Sequence, residues 1–198
     1  MNEIKAFDFP DVYKWLGINL NTLGCVMAPL ELIDEPEFVK PYLYKSPHPE
    51  RFWIDGWVAS KKAHMTLLYG LTNKAQNLYP HIEKVLEGWH LDSVDLNHID
   101  YFPCPYPDEN YWCIIAHIEI SDALLEGRQR LCLLPHINTF PTYKPHMTLG
   151  YIQCNEEKRD EIIKQTSNLL FHLKKKKTGT LDVGRRLKVN WPLDLGRL

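Results

Sequence analysis

The sequence predicts an α+β protein built from two similar lobes. First, the phrase Lys-x-His-Met-Thr-Leu-x-Tyr occurs twice, beginning at Lys62 and again at Lys144. Second, strand-like and helix-like segments follow one another in a similar order around each copy. Because the repeated phrase alternates polar and apolar residues, it is typical of a half-buried β-strand. Each lobe is therefore expected to place one copy on a strand.

The first half contains two strand patterns separated by an irregular stretch. The segment TLGCVM at 22–27 is apolar and β-branched, which favours a strand that Pro29 should interrupt. Residues 29–50 contain five prolines among acids and aromatics, so we expect an irregular excursion there. A second strand is predicted over 63–71, bounded by Gly70.

A helix is predicted next, over 76–89, from apolar residues at helical spacing. Pro80 should lie in its first turn, where proline is tolerated, and Gly88 suits a C-terminal cap.

The second half begins with strands predicted over 94–102 and 111–120, joined by a turn-rich loop. The second of these is dense in isoleucine, which indicates that both of its faces are covered. Ser121 can then cap a helix that runs to about Leu134.

The second copy of the phrase lies in a strand predicted over 145–152. Asn155 followed by two glutamates marks the start of another helix, because acids are favoured beside a helix N-terminus. The tail over 180–189 is predicted to be the last strand.

Composition and charge limit the class of protein, the ligands and the location that can be expected. The chain has 198 residues, 44% hydrophobic and 24% charged, which is typical of a folded globular protein, and we expect residues 1–198 to form one domain. A net charge of −2 disfavours nonspecific binding to long nucleic acid. Without a signal-peptide pattern or a long apolar span, the expected location is the cytoplasm, away from membranes.

The spacing of the cysteines and histidines argues against disulfide bonds and metal sites. The five cysteines include no C-x-x-C pair and an odd count suits disulfides badly, so we expect reduced thiols. The nine histidines show no close metal-ligand spacing, so neither a metal nor another cofactor is expected.

The polar positions of each repeated phrase are two residues apart, so they share one face of their strand, while Met, Leu and Tyr should point to the other face and bury. The six polar positions are Lys62, His64, Thr66, Lys144, His146 and Thr148. If the two lobes are related by a two-fold axis, both His-x-Thr pairs can face one ligand across a cleft.

Two histidines and two threonines around one ligand suit phosphodiester cleavage. A neutral imidazole can take a proton from the attacking hydroxyl or water, while a protonated one donates to the leaving oxygen. Histidine suits both roles because its ordinary pKa is about 6.5. The threonine hydroxyls would bind the non-bridging oxygens, and the lysines are candidate phosphate contacts. His64, Thr66, His146 and Thr148 are therefore the candidate catalytic residues.

The two His-Met-Thr triplets resemble the 2H phosphoesterase superfamily, whose name refers to two His-x-Thr/Ser motifs. The resemblance spans roughly residues 12–190 through the order of elements, with 82 residues between the two histidines, His64 and His146. It implies pseudo-symmetric halves whose antiparallel sheets face a central cleft with helices outside. It also implies metal-independent action on nucleotide phosphodiesters.

The segments at 14–27 and 51–71 look like those of the phage anti-CBASS nucleases. This similarity implies cleavage of 3′,5′ linkages in cyclic di- and trinucleotide immune signals, in the cytoplasm of an infected host. The family clamps bases with aromatic side chains, and stacking on an aromatic ring is favourable for any base. The aromatic residues near the expected cleft edges are Tyr13, Trp53, Trp57, Tyr106 and Trp112, and of these Tyr13, Tyr106 and Trp112 are the candidates for substrate binding.

Two alternatives remain open. The same four residues could serve a phosphodiesterase acting on RNA ends with 2′,3′-cyclic phosphates or on 2′,5′-oligoadenylate. A nucleotide-sequestering module that does not cut is the second alternative, although it would not need two proton carriers.

Overall fold

The fold is described from a computed structural model. The residues described are 24–30, 34–58, 63–73, 75–137, 142–172, 186–189 and 193–196.

Seven antiparallel strands form the framework. They are β1 (Gly24–Pro29), β2 (His64–Leu71), β3 (Ser93–Pro103), β4 (Trp112–Ile118), β5 (His146–Ile152), β6 (Arg186–Lys188) and β7 (Asp194–Gly196). They join in one sheet in the order β6-β3-β4-β5-β2-β1-β7. The predicted α+β class is confirmed, and each of the first five strands lies within two residues of its predicted position or inside it.

Three helices pack against this sheet: α1 (Ala75–Val85), α2 (Asp122–Leu131) and α3 (Glu156–His172). The predicted cap of α2 and the predicted start of α3 are confirmed. Ser121 Oγ accepts a hydrogen bond from the Leu124 amide at 3.2 Å, and Asn155 Oδ1 accepts one from the Lys158 amide at 3.0 Å. Each cap satisfies a backbone donor that the first turn leaves without a helical partner.

The strands that carry the repeated phrase are neighbours in the middle of the sheet. Met65 on β2 lies opposite Met147 on β5, and the strands are antiparallel. We expected the two copies to face each other across a cleft, but they lie side by side. The reason is that both strands bury their Met and Leu residues in one core, with Met65, Leu67, Met147 and Leu149 all at 0% exposure. The polar positions are left together on the other face.

The excursion before the first copy completes the edge of β5. The Val58 amide donates to the Leu149 carbonyl and the Tyr151 amide to the Gly56 carbonyl, both at 2.8 Å. This segment therefore pairs with the C-terminal half of β5, where β2 does not. Gly150 permits the approach, since an added Cβ would lie 2.8 Å from the indole of Trp57. The predicted absence of long regular elements here is confirmed over the described residues, which contain two short 3-10 turns.

Three local predictions were wrong. Pro29 is the last residue of β1 and pairs with His64, so it does not interrupt the strand. Pro80 lies in the interior of α1, and the helix ends at Val85 rather than near residue 89. A proline at this position has no N–H for the carbonyl four residues earlier. Gly88 adopts a φ of 72° in the turn that follows, which fits the predicted capping role.

The tail is described only in part. β6 pairs Lys188 with Ser93 at the start of β3, and this agrees with the end of the predicted last strand. Residues 180–185 of that prediction lie outside the described part. β7 was not predicted, because three residues are too few to show a period, and it exists by pairing with β1. Within the described residues, no helix has the length and apolarity needed to cross a bilayer.

Candidate active site

The four predicted catalytic residues lie on one face of the sheet. His64 and Thr66 alternate with buried Met65 and Leu67 on β2, and the histidine and threonine side chains of both copies are half-buried. Since Met65 lies opposite Met147, one step to either side places His64 across from Thr148 and Thr66 across from His146. The structure therefore brings together the residues that the repeated phrase singled out.

This register relates the two copies by a local two-fold axis between Met65 and Met147. The histidines occupy diagonal positions, where Cβ atoms of neighbouring antiparallel strands are typically about 7–8 Å apart. Two imidazoles at that spacing can reach one tetrahedral phosphate from opposite sides. Each threonine lies directly across from the other copy's histidine. A single anion above the strand pair can contact all four side chains.

The ring of His146 is oriented by its own backbone. Nδ1 donates a hydrogen bond to the carbonyl oxygen of Lys144 at 2.8 Å, so in the neutral ring Nε2 has the lone pair. Burial lowers the pKa of His146 below its ordinary value, the bond to Lys144 opposes that shift, and the charge of His64 lowers it further. His146 is therefore neutral at pH 7, with Nε2 able to accept a proton.

The two threonines have different supports. Thr148 Oγ1 is 4.0 Å from Cys113 Sγ on β4, and burial raises the pKa of this thiol to about 11. The backbone carbonyl of Thr66 accepts a hydrogen bond from the Tyr143 hydroxyl at 3.3 Å, and burial raises the pKa of that phenol. Tyr143 thus ties β2 to the segment that leads into β5.

No protein-family model and no curated protein matches the chain.

Residues that the sequence did not single out extend the site across β4 and β3. His117 lies opposite His146 on β4, and its ring stacks on that of His98 with centroids 4.4 Å apart. Phe102 on β3 sits edge-to-face with His146 at 5.0 Å and is 37% exposed. The sequence does contain one signal for these residues, the His-x-Asp pattern over 98–100. It does not give the pairing of β3 with β4 and of β4 with β5, which places this pattern near the repeated phrase.

Trp112, predicted to bind substrate, lies on the other face of the sheet, away from the four predicted catalytic residues. Its neighbour Cys113 points toward Thr148, and adjacent strand residues point to opposite faces. The Trp112 indole donates to the Cys154 carbonyl at 2.9 Å, and the guanidinium of buried Arg159 on α3 lies 4.5 Å from its ring. Trp112 is a packing residue between sheet and helix.

Tyr106 lies at the rim of the site face. One side of its ring is covered by the guanidinium of Arg51 at 3.9 Å. Burial is the main cause of the raised pKa of Tyr151, and Cys113 and then Tyr106 add to it. Tyr151 was predicted to be buried on the opposite face, which was wrong. A register shift between β4 and β5, in which Leu149 is an extra residue on β5, puts Tyr151 opposite Cys113 and therefore on the side of Thr148. Sequence periodicity does not reveal such a bulge.

The remaining candidates are Lys144, Lys62 and Tyr13. Lys144 is exposed beside the pair of stacked imidazoles, and its charge lowers the pKa of His117, although burial and His98 have larger effects. Its carbonyl orients His146 as well. Lys62 and Tyr13 lie outside the described residues.

Two groups among the described residues bring together ligand types suited to a metal: His98 with Asp100 and His117, and His48 with Asp108 and Glu109. In the second group the carboxylates are already engaged. Arg51 binds both of them, and Glu109 also accepts from the Tyr44 hydroxyl at 2.8 Å. This second group therefore attaches the irregular segment before β2 to the loop over 104–110.

Proposed function

We propose that this protein is a metal-independent phosphodiesterase of the two-histidine type. The observation that carries the proposal is the single face shared by His64, Thr66, His146 and Thr148, with Met65 directly opposite Met147. Two proton carriers on either side of two hydroxyl donors suit a phosphorus centre at which one oxygen attacks and another leaves.

His146 serves as the general base in this mechanism. Its Nε2 takes the proton of the attacking hydroxyl, and the resulting imidazolium keeps its Nδ1 bond to the Lys144 carbonyl. His64 acts as the general acid and gives a proton to the departing oxygen. Thr66 and Thr148 donate hydrogen bonds to the non-bridging oxygens, where negative charge builds up. His146 gains the proton of the attacking hydroxyl and His64 loses one to the leaving oxygen, so the protons balance, and proton exchange with water then resets both rings.

The proposed substrates are cyclic di- and trinucleotides with 3′,5′ linkages, attacked by the neighbouring ribose 2′-hydroxyl. This substrate class, the anti-CBASS role and a cytoplasmic location come from the resemblance of the repeated phrase and its flanks. Phe102 adds structural support for a nucleotide, because a partly exposed ring at the edge of His146 can stack on a base. Phe102 takes the stacking role that the sequence assigned to Trp112.

The same local two-fold axis supports a two-lobed arrangement of the 2H kind, which we include in the proposal. In the described residues, the β2–β5 register consists of the Met65–Met147 pair, whereas β1–β2 and β4–β5 pair over most of their lengths. The sheet therefore has its weakest junction between the two copies of the phrase. We infer that each side of this junction is one lobe and that the substrate binds over it.

The deciding experiment is incubation with a panel of nucleotides in excess EDTA, with products identified by mass. The panel contains cyclic di- and trinucleotides, 2′,5′-oligoadenylate and RNA ending in a 2′,3′-cyclic phosphate. We expect ring opening of the cyclic substrates by wild type and none by the His64→Ala/His146→Ala double variant. Turnover that persists in the double variant would place the chemistry elsewhere.

The other members of the panel test the two alternatives. Faster cleavage of either linear substrate would replace the cyclic class with RNA-end or 2′,5′ processing by the same four residues. Recovery of intact bound ligand after long incubation would instead identify a sequestering module.

A further inference from the structure

We propose that His98, Asp100 and His117 form a binding site for a first-row divalent transition metal. It lies beside the candidate active site and is independent of the phosphodiesterase proposal. The three potential ligand atoms, one from each side chain, lie within 4.8 Å of one another. Two imidazoles and one carboxylate are a ligand set that binds zinc, iron and their neighbours.

The sheet register creates this grouping. His98 and Asp100 are two apart on β3 and share a face, and β4 runs antiparallel beside them. The His117 ring stacks on that of His98 at an interplanar angle of 27°, and His117 Nε2 is 3.8 Å from Asp100 Oδ2. Metal bonds to these atoms are about 2.0–2.2 Å long, so the side chains must close by roughly an ångström through rotation.

Each of two ligands is oriented by a neighbour. Nδ1 of His98 donates to Asn97 Oδ1 at 2.9 Å, which in the neutral ring leaves the lone pair on Nε2. Asp100 Oδ1 accepts from the Tyr101 amide at 2.9 Å, and its other oxygen is the one that faces His117. Outer hydrogen bonds of this kind fix the tautomer and direction of metal ligands.

The surroundings favour a cation that exchanges with solvent. The three residues line an open pocket of about 460 Å³, whose other charged lining residues are Glu119 and Lys144. The pocket therefore has two carboxylates, those of Asp100 and Glu119, and one ammonium group, that of Lys144. This balance of charge favours binding of a divalent cation over binding of a phosphate. The Asp100 side chain is 48% exposed and that of His117 is 17% exposed, so an ion can enter without opening the core. Three protein ligands leave further positions for water or an anion.

The test is titration of EDTA-treated, dialysed protein with Zn²⁺ by calorimetry and with Co²⁺ by absorption spectroscopy. We expect one ion per chain and a Co²⁺ spectrum of nitrogen and oxygen ligation. His98→Ala and His117→Ala should each weaken binding at least tenfold. The matched control is His48→Ala, which removes the histidine of the other group and should leave the affinity unchanged.

Three outcomes would overturn the assignment. They are no binding by wild type at submillimolar metal, metal affinities of His98→Ala and His117→Ala equal to that of wild type, or a Co²⁺ spectrum of thiolate ligation by the free cysteines. Thermal unfolding with and without Zn²⁺ checks that the variants fold, and the metal should raise the melting temperature of wild type and His48→Ala only. Binding without any phosphodiesterase activity would support this site while contradicting the proposed function.

Discussion

Replacing His146 by alanine tests the proposed mechanism most directly. The substitution removes the Nε2 base while leaving its strand neighbours Met147 and Thr148 in place. A positioned proton carrier contributes about 10²- to 10⁴-fold in rate. At about 1.36 kcal/mol for each factor of ten, the barrier should rise by roughly 2.7–5.4 kcal/mol. Because His64 acts in the same transition state, the double variant should lose less than the product of the two single losses.

His136 provides the matched control. It is half-buried, and its Nδ1 makes the same 2.8 Å bond to a carbonyl two residues earlier, that of Leu134. It pairs with Leu71, at the opposite end of β2 from His64. His136→Ala should therefore cost no more than a few-fold in kcat/KM. An equal loss in both variants would mean that His146 acts through stability rather than chemistry.

The pH profile separates base from acid. Burial and the charge of His64 lower the pKa of His146, and a base works only when deprotonated. The acid limb of kcat/KM should therefore have its midpoint below pH 6.5, the ordinary histidine value. Steady-state assays on the cyclic substrate should show this limb in wild type and His64→Ala, and not in His146→Ala. A midpoint above 6.5, or loss of the limb in His64→Ala instead, would refute the assignment of His146 as base.

Three further predictions concern the fold and the substrate. Gly70→Ala should destabilise the protein by more than about 2 kcal/mol, because φ is +83° and the new Cβ would lie 2.3 Å from the Ile137 carbonyl oxygen. Gly88 has a φ of +72° and no such contact, so Gly88→Ala should cost only the penalty of about 1–2 kcal/mol for a left-handed backbone. Similar melting temperatures for the two would contradict this reading. Phe102→Ala should raise KM roughly 5- to 150-fold for loss of one stacked base, while Trp112→Phe should leave KM unchanged in the same assay. A 2′-deoxy cyclic dinucleotide should survive incubation that consumes the ribose form, and its cleavage at an equal rate would show that water attacks directly.

Much of the fold and the candidate site could be predicted from sequence because local patterns specify them. The phrase around His64 and its copy around His146 predicted two half-buried strands with His and Thr on one face, since side chains alternate with a period of two. Ser121 and Asn155 predicted helix starts, because a cap acts on backbone groups within its own turn. Those predictions required no knowledge of which strands are neighbours.

The tertiary structure decided which strands meet and in what register. Pairing between distant segments depends on side chains that pack only once the sheet forms, so the Met65–Met147 pair cannot be read from either strand alone. One register shift between β4 and β5, caused by an extra residue on β5, moved Tyr151 to the site face. Strand pairing also placed Trp112 under α3 and His117 beside His146. The sequence by itself determined the chemistry that each strand carries. Only the assembled sheet determined which of those groups share a ligand, because that depends on through-space distances between residues far apart in the chain.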